Sequence, residues 1–225
     1  MKRAFSFGVA ASAIATVGLY ALRGRRWQRC WGATDEEVER AMPGDDLVAN
    51  PNYRTTRAIT IDAPPGDIYP WLLQMGYHRG GLYSYDWLDR LFGVLDAPSA
   101  RAIIPALQRL EFGDEIPVGK GGAFPVCELE QDRVFVLGDA AVGWSWATCL
   151  YPVDAGRTRL VTRNHGAFPD GLRWWLQRVP FDLAAFLMVR RWLIVLKERA
   201  EGLRQQREAA APGPDDRATD AASGS

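Results

Sequence analysis

The feature that most constrains this fold is the last stretch of regular sequence. Between residues 181 and about 203, Phe181, Ala185, Met188, Trp192, Val195 and Leu203 recur at helical spacing. A long helix therefore carries one wide apolar stripe that something must cover. The preceding sequence reads as consecutive antiparallel strands. A curved sheet folded round one long helix covers the stripe and encloses a cavity, an arrangement suited to holding an apolar molecule.

The strand signals are dense. Segments 57–63, 115–118, 123–130, 133–138, 144–153 and 158–166 alternate or are rich in β-branched and aromatic residues, with Gly-, Asp- or Gln-containing turns between the later ones. Pro64-Pro65 breaks the first strand and opens a helix in which Ile68, Trp71, Leu72 and Met75 share one face, ended by Gly76. Gly80-Gly81 turns the chain into a second helix, expected to be capped by Ser84 and stopped by Gly93, with a helical turn near 103–110 beyond it. Strand, helices, strands and long helix in that order define an α+β fold with a sheet of about six strands.

At the N-terminus, residues 4–22 are uncharged and lie between Lys2-Arg3 and Arg23, Arg25, Arg26 and Arg29. About 20 apolar residues cross a bilayer, so an N-terminal transmembrane helix is expected. No small-x-small pair follows the apolar run, which favours a retained single-pass anchor over a cleaved secretory signal. The heavier positive flank on the C-terminal side favours a cytoplasmic domain. Thr34-Asp35-Glu36-Glu37 is a capping box for a short helix that Pro43-Gly44 stops. The expected organisation is an anchor at 1–30, a linker at 31–56, a domain at 57–207 and a disordered tail at 208–225.

Lys plus Arg balance Asp plus Glu at 27 each, so the basic surplus of a nucleic-acid binder is missing. Cys30, Cys127 and Cys149 read as free thiols, although Cys127 and Cys149 fall on neighbouring predicted strands. With His78 and His165 the only histidines, no metal-ligand spacing arises, and no cofactor is expected. Gly119-Lys120-Gly121-Gly122 lacks the spacing of a phosphate loop and reads as a hairpin turn.

The segments Trp31-Gly32-Ala33-Thr34-Asp35-Glu36-Glu37-Val38, Ile61-Asp62-Ala63-Pro64-Pro65, Trp71-Leu72-Leu73-Gln74-Met75-Gly76 and Gly80-Gly81-Leu82-Tyr83-Ser84-Tyr85-Asp86-Trp87-Leu88 resemble the SRPBCC (START-like, polyketide cyclase-like) superfamily, in particular its bacterial membrane-linked members. So does Phe186-Leu187-Met188-Val189-Arg190-Arg191-Trp192-Leu193 followed by Lys197-Glu198-Arg199-Ala200-Glu201. The resemblance covers roughly residues 31–202. It implies a helix-grip fold, in which the curved sheet grips the C-terminal helix around an apolar pocket. Members bind lipids, sterols or polyketides, and some are aromatase/cyclases; no catalytic motif carries over here.

Candidate ligand-binding residues follow from chemistry and alternation. Tyr83, Tyr85, Asp86 and Trp87 form the densest polar-aromatic cluster and suit a pocket rim, or else simple helix packing. Trp144 and Trp146 share a strand face and could wall a cavity or equally fill a sheet core; Met188 and Trp192 of the helical stripe are further candidates. Arg163 and His165 share a face, with Asn164 on the other; on the concave side they could orient an anionic group and move a proton. On an outer face Arg163 would instead be solvated. Glu128 and Glu130 read as surface carboxylates. Leu172-Arg173-Trp174-Trp175-Leu176 suits a bilayer interface or helix-entry packing.

The leading expectation is a membrane-tethered binding protein for a hydrophobic, lipid-like or polyketide-like small molecule. One alternative is a cyclase or dehydratase with His165 or Asp86 as acid/base; another is a pocketless interaction module filled by its tryptophans.

Overall fold

A computed structural model describes residues 24–119, 122–169 and 171–210, leaving aside the side chains of 172–179. The expected membrane helix, the tail from 211 onwards, the tip of the 119–122 turn and the side chains of Trp174 and Trp175 lie outside the described residues. Among those described, no helix is long and apolar enough to cross a membrane.

Two short helices come first, α1 (Arg25–Arg29) and α2 (Asp35–Glu39), then strand β1 (Tyr53–Ile61), helices α3 (Pro65–Leu73) and α4 (Asp86–Leu91), and a 3-10 turn (Pro105–Leu107). Strands β2 (Glu115–Pro117), β3 (Ala123–Glu130), β4 (Val134–Asp139), β5 (Trp144–Asp154) and β6 (Arg157–Gly166) precede the long helix α5 (Leu172–Ala210). The strands form one antiparallel sheet in the order β1-β6-β5-β4-β3-β2. The fold is α+β, as the segregated order of elements implies.

The helix α5 begins nine residues before the expected start at Phe181 and takes in Pro180. Proline removes one ladder hydrogen bond, yet its φ is already helical, so here it does not end the helix. At the other end α5 runs to Ala210, into the segment expected as tail. Ser84 does not cap α4; Tyr85 stands at that position without a side-chain cap.

Period-two alternation gives the sheet two faces. On one, Ile61, Phe135, Leu137, Leu150 and Leu160 pack with Ile68, Trp71 and Leu72 of α3 and with Trp192, Leu193, Leu196 and Ala200 of α5. On the other, Ala58, Val134, Val136, Ala147, Cys149 and Val161 pack against Met42 and Leu47. Of the stretch 31–56 expected as a linker, residues 31–48 instead form a third layer over the outer face, and 53–56 belong to β1. A register shift between Val126 and Glu128 breaks the simple alternation read for β3, and β4 lies between β3 and β5. Cys127 and Cys149 are thus not on neighbouring strands, and all three cysteines are free.

Polar pins hold that outer layer. Thr34 and Glu37 form the expected capping box, at 3.2 and 2.8 Å. Arg159 of β6 bridges to both Glu37 carboxylate oxygens at 2.7 and 2.8 Å, and the guanidinium holds that carboxyl below its usual range. The chain crosses the β1 edge at Trp31, whose carbonyl accepts from the Ala58 amide at 3.1 Å. The next residue, Gly32, has φ +74°, and a Cβ there would lie 2.1 Å from the Ala58 carbonyl oxygen. Gly32→Ala should therefore cost roughly 2–4 kcal/mol of unfolding free energy in urea denaturation, whereas Gly202→Ala on open α5 surface should cost nothing.

Candidate functional site

The sheet and α5 do not close on each other everywhere. A cavity of about 510 Å³ lies between them at the end of the sheet where β5 starts and β6 finishes. Leu82, Val94, Val118, Phe124, Val142, Trp144, Trp146 and Phe168 line it opposite Phe181, Ala185, Met188, Val189 and Trp192 of α5. Its size is that of a small-molecule site, and its walls are almost wholly apolar.

The tryptophans are walls rather than filling. Trp146 donates Nε1–H to the Thr162 hydroxyl at 2.9 Å, which fixes its ring beside Trp192 at a centroid distance of 5.2 Å and 64° between planes. The buried Trp192 Nε1 has no hydrogen-bond partner, and neither has the buried Ser84 Oγ at the cavity rim. The buried Asn164 is the further polar residue on the wall, so the surface a guest would meet is almost wholly apolar.

Of the residues singled out in the sequence, Trp144, Trp146, Met188 and Trp192 come together on this cavity. Tyr83, Tyr85, Asp86 and Trp87 line a separate cleft on the flank of α5, which shares Ser84 with the cavity. Tyr83 is buried with φ +52°; its hydroxyl accepts from Gln74 Nε2 at 2.9 Å, and burial pushes its pKa up to about 12. Asp86 ties down the following loop, accepting from the Ser99 amide at 3.1 Å and hydroxyl at 2.7 Å. Trp87 is exposed.

Arg163 and His165 are not at the cavity. They share a face, as alternation requires, but it is the outer one, beneath the N-terminal layer. Arg163 is neither solvated nor ligand-facing: it donates to the Thr56 hydroxyl, to Asp45, and to the carbonyls of Glu37, Val38 and Arg40, all within 2.7–3.0 Å. His165 is buried 3.8 Å from Asp45, and burial lowers its pKa. Asn164, pointing the other way, is the residue of this strand that reaches the cavity.

Sequence reasoning also passed over Gln74. It is fully buried and positions the wall through the Tyr83 hydroxyl, the Ala102 carbonyl at 3.2 Å and the Ile104 amide at 2.8 Å. Asp89, likewise missed, is fully buried in α4 with neither carboxylate oxygen partnered.

A single-sheet α+β domain with an apolar hollow under its C-terminal helix is the class that fold and site define. No protein-family model and no curated protein matches the chain. Among solved structures it is similar to protein NE0264 from Nitrosomonas europaea, at 13% identity over 73% of this chain and 99% of that one, with a TM-score of 0.42. It is similar to protein MLL2253 from Mesorhizobium loti, at 14% identity over 66% and 97% with a TM-score of 0.39. CalU16 from Micromonospora echinospora gives 10% identity over 68% and 86% with a TM-score of 0.32. Likenesses at this level carry no functional conclusion.

Burial, aided by the nearby Asp86, raises the Asp89 pKa from 3.8 to about 6. The folded state thus holds the proton more tightly than the unfolded one. Stability falls as pH rises through that window, and the penalty is complete above it. Asp89→Asn should raise unfolding free energy by about 3 kcal/mol at pH 8 and leave it nearly unchanged at pH 4, measured by urea denaturation. An equal effect at both pH values would contradict this reading.

Proposed function

We propose that this chain is an SRPBCC-like, helix-grip binding protein, tethered to a membrane by residues 4–22, that holds a hydrophobic small molecule between sheet and C-terminal helix. The observation that carries the reading is the open apolar space of about 510 Å³ bordered by Trp144, Trp146, Met188 and Trp192. Each Å² of apolar surface removed from water contributes about 25 cal/mol, so a guest enclosed there binds without needing strong polar contacts.

Binding without chemistry is the better supported alternative. The acid/base groups a cyclase would need are elsewhere: His165 lies across the sheet, and both Asp86 oxygens are engaged by Ser99. A pocketless module would need the indoles to fill the interior, whereas Trp144, Trp146 and Trp192 border open space.

Filling the hollow tests the reading. Ala185 faces the cavity from α5, so Ala185→Trp should weaken binding of the uncharged dye Nile red about tenfold or more while leaving the thermal midpoint within a few degrees of the wild type. Unchanged dye affinity in a folded variant would rule the cavity out as the binding site.

A further inference from the structure

The cleft beside the cavity has a composition the apolar reading does not use. It holds about 650 Å³ and is lined by five arginines, Arg90, Arg101, Arg190, Arg191 and Arg199, against two carboxylates, Asp86 and Glu198. In a chain with no net charge, that is a concentrated positive site. Asp86 is already committed to Ser99. Glu198 approaches Arg191 no closer than 3.6 Å. Arg90 and Arg101 form no ion pair among the described residues, and the buried Arg199 Nε has no hydrogen-bond partner. Arg191, paired with Glu198, also lies over the Tyr85 ring at 6.0 Å from its centroid. Arg190 lies over Trp31 at 5.2 Å and Arg199 over Trp71 at 6.0 Å, which leaves Arg90 and Arg101 as the cleft's guanidinium groups without a carboxylate or ring partner among the described residues.

The cleft and the cavity are neighbours. Both run along α5, with Met188 and Trp192 on the cavity side and Arg191 and Val195 on the cleft side, and Ser84 lines both. Ser84 therefore stands at their junction, its hydroxyl oxygen buried and without a hydrogen-bond partner. Guanidinium groups left without carboxylates match the oxygens of a phosphate or carboxylate, which they bind in fork geometry.

We infer that the ligand is an anionic amphiphile: its apolar part occupies the cavity, and its phosphate or carboxylate head lies in the arginine cleft past Ser84. This rests on the preceding reading of the cavity and adds the head group to it.

Calorimetric titration of the full-length chain with octyl phosphate, octan-1-ol and inorganic phosphate separates the two. Octyl phosphate should bind about tenfold or more tighter than octan-1-ol, with inorganic phosphate far weaker than either. Arg101→Gln and Arg191→Gln should each lower octyl phosphate affinity about threefold or more and leave that of octan-1-ol unchanged, which also shows the variants folded. Equal affinity for octyl phosphate and octan-1-ol overturns the head-group assignment alone. Inorganic phosphate binding as tightly as octyl phosphate overturns it too, because the cleft is then an anion site independent of the cavity. Failure of both alkyl compounds to bind overturns the cavity reading and this inference with it.

Discussion

The structure depends on how the outer face of the sheet is sealed. A sheet apolar on both sides needs two covers, and α5 supplies only one. The other is the segment running from Trp31 to Val48, and its anchor is Arg163. Burying a guanidinium is costly unless every donor finds an acceptor. Arg163 meets that condition through Thr56, Asp45 and three backbone carbonyls of the covering segment. Arg159 repeats the device four residues earlier through Glu37. With the outer face closed by these bonds, the inner face and α5 share one remaining task, and they meet fully only where α3 packs against Leu193, Leu196 and Ala200.

Further towards the N-terminal half of α5, α3 no longer intervenes and the inner face opens into the cavity. The wall there is the stretch 82–85, held in an unusual conformation by its neighbours. Tyr83 takes a positive φ because its hydroxyl is captured by Gln74 and its amide donates to Ser99 Oγ at 3.2 Å. Gly81 just before it has φ +86° and passes so close to Ser99 that a Cβ would lie 2.6 Å from the hydroxyl. This short stretch thus borders an apolar hollow on one side and an arginine-rich cleft on the other, with Ser84 lining both. The N-terminal end of α5 is held independently: Arg25 and Arg29 both engage Asp182, at 2.8 and 3.0 Å. Two of the arginines counted for membrane orientation are therefore tied to the domain itself.

Much of this architecture is legible in the sequence. The strands β2 to β6 stand within a residue or two of where alternation puts them, and the Thr34 capping box forms with both its bonds. The apolar walls were also legible, since Trp144 and Trp146 share a strand face and Met188 and Trp192 share a helix stripe. What could not be read was which face is which. Alternation separates Arg163 and His165 from Asn164 but does not say which set looks inward. Reading a cation and an imidazole on one strand face as the ligand-facing set then picks the wrong face, and the solvated outer face weighed against it is not what forms either, because Arg163 is buried there. The deciding fact is the third layer, and a segment with one capping box and a Pro-Gly stop looks like a linker until its carbonyls are seen to satisfy Arg163. The cleft escaped for a related reason: Arg90, Arg101, Arg191 and Arg199 are far apart in sequence or lie on a charged-looking helix, and only folding gathers them.

The central claim is that the space beneath α5 is hollow and apolar. Xenon enters dry apolar cavities and leaves polar, hydrated ones alone. Crystals of the protein pressurised with xenon should show the gas in the hollow beside Trp146 and Trp192, whose rings pack together on the cavity wall at a centroid distance of 5.2 Å. Side chains or ordered water filling that volume, with no xenon, would contradict the account.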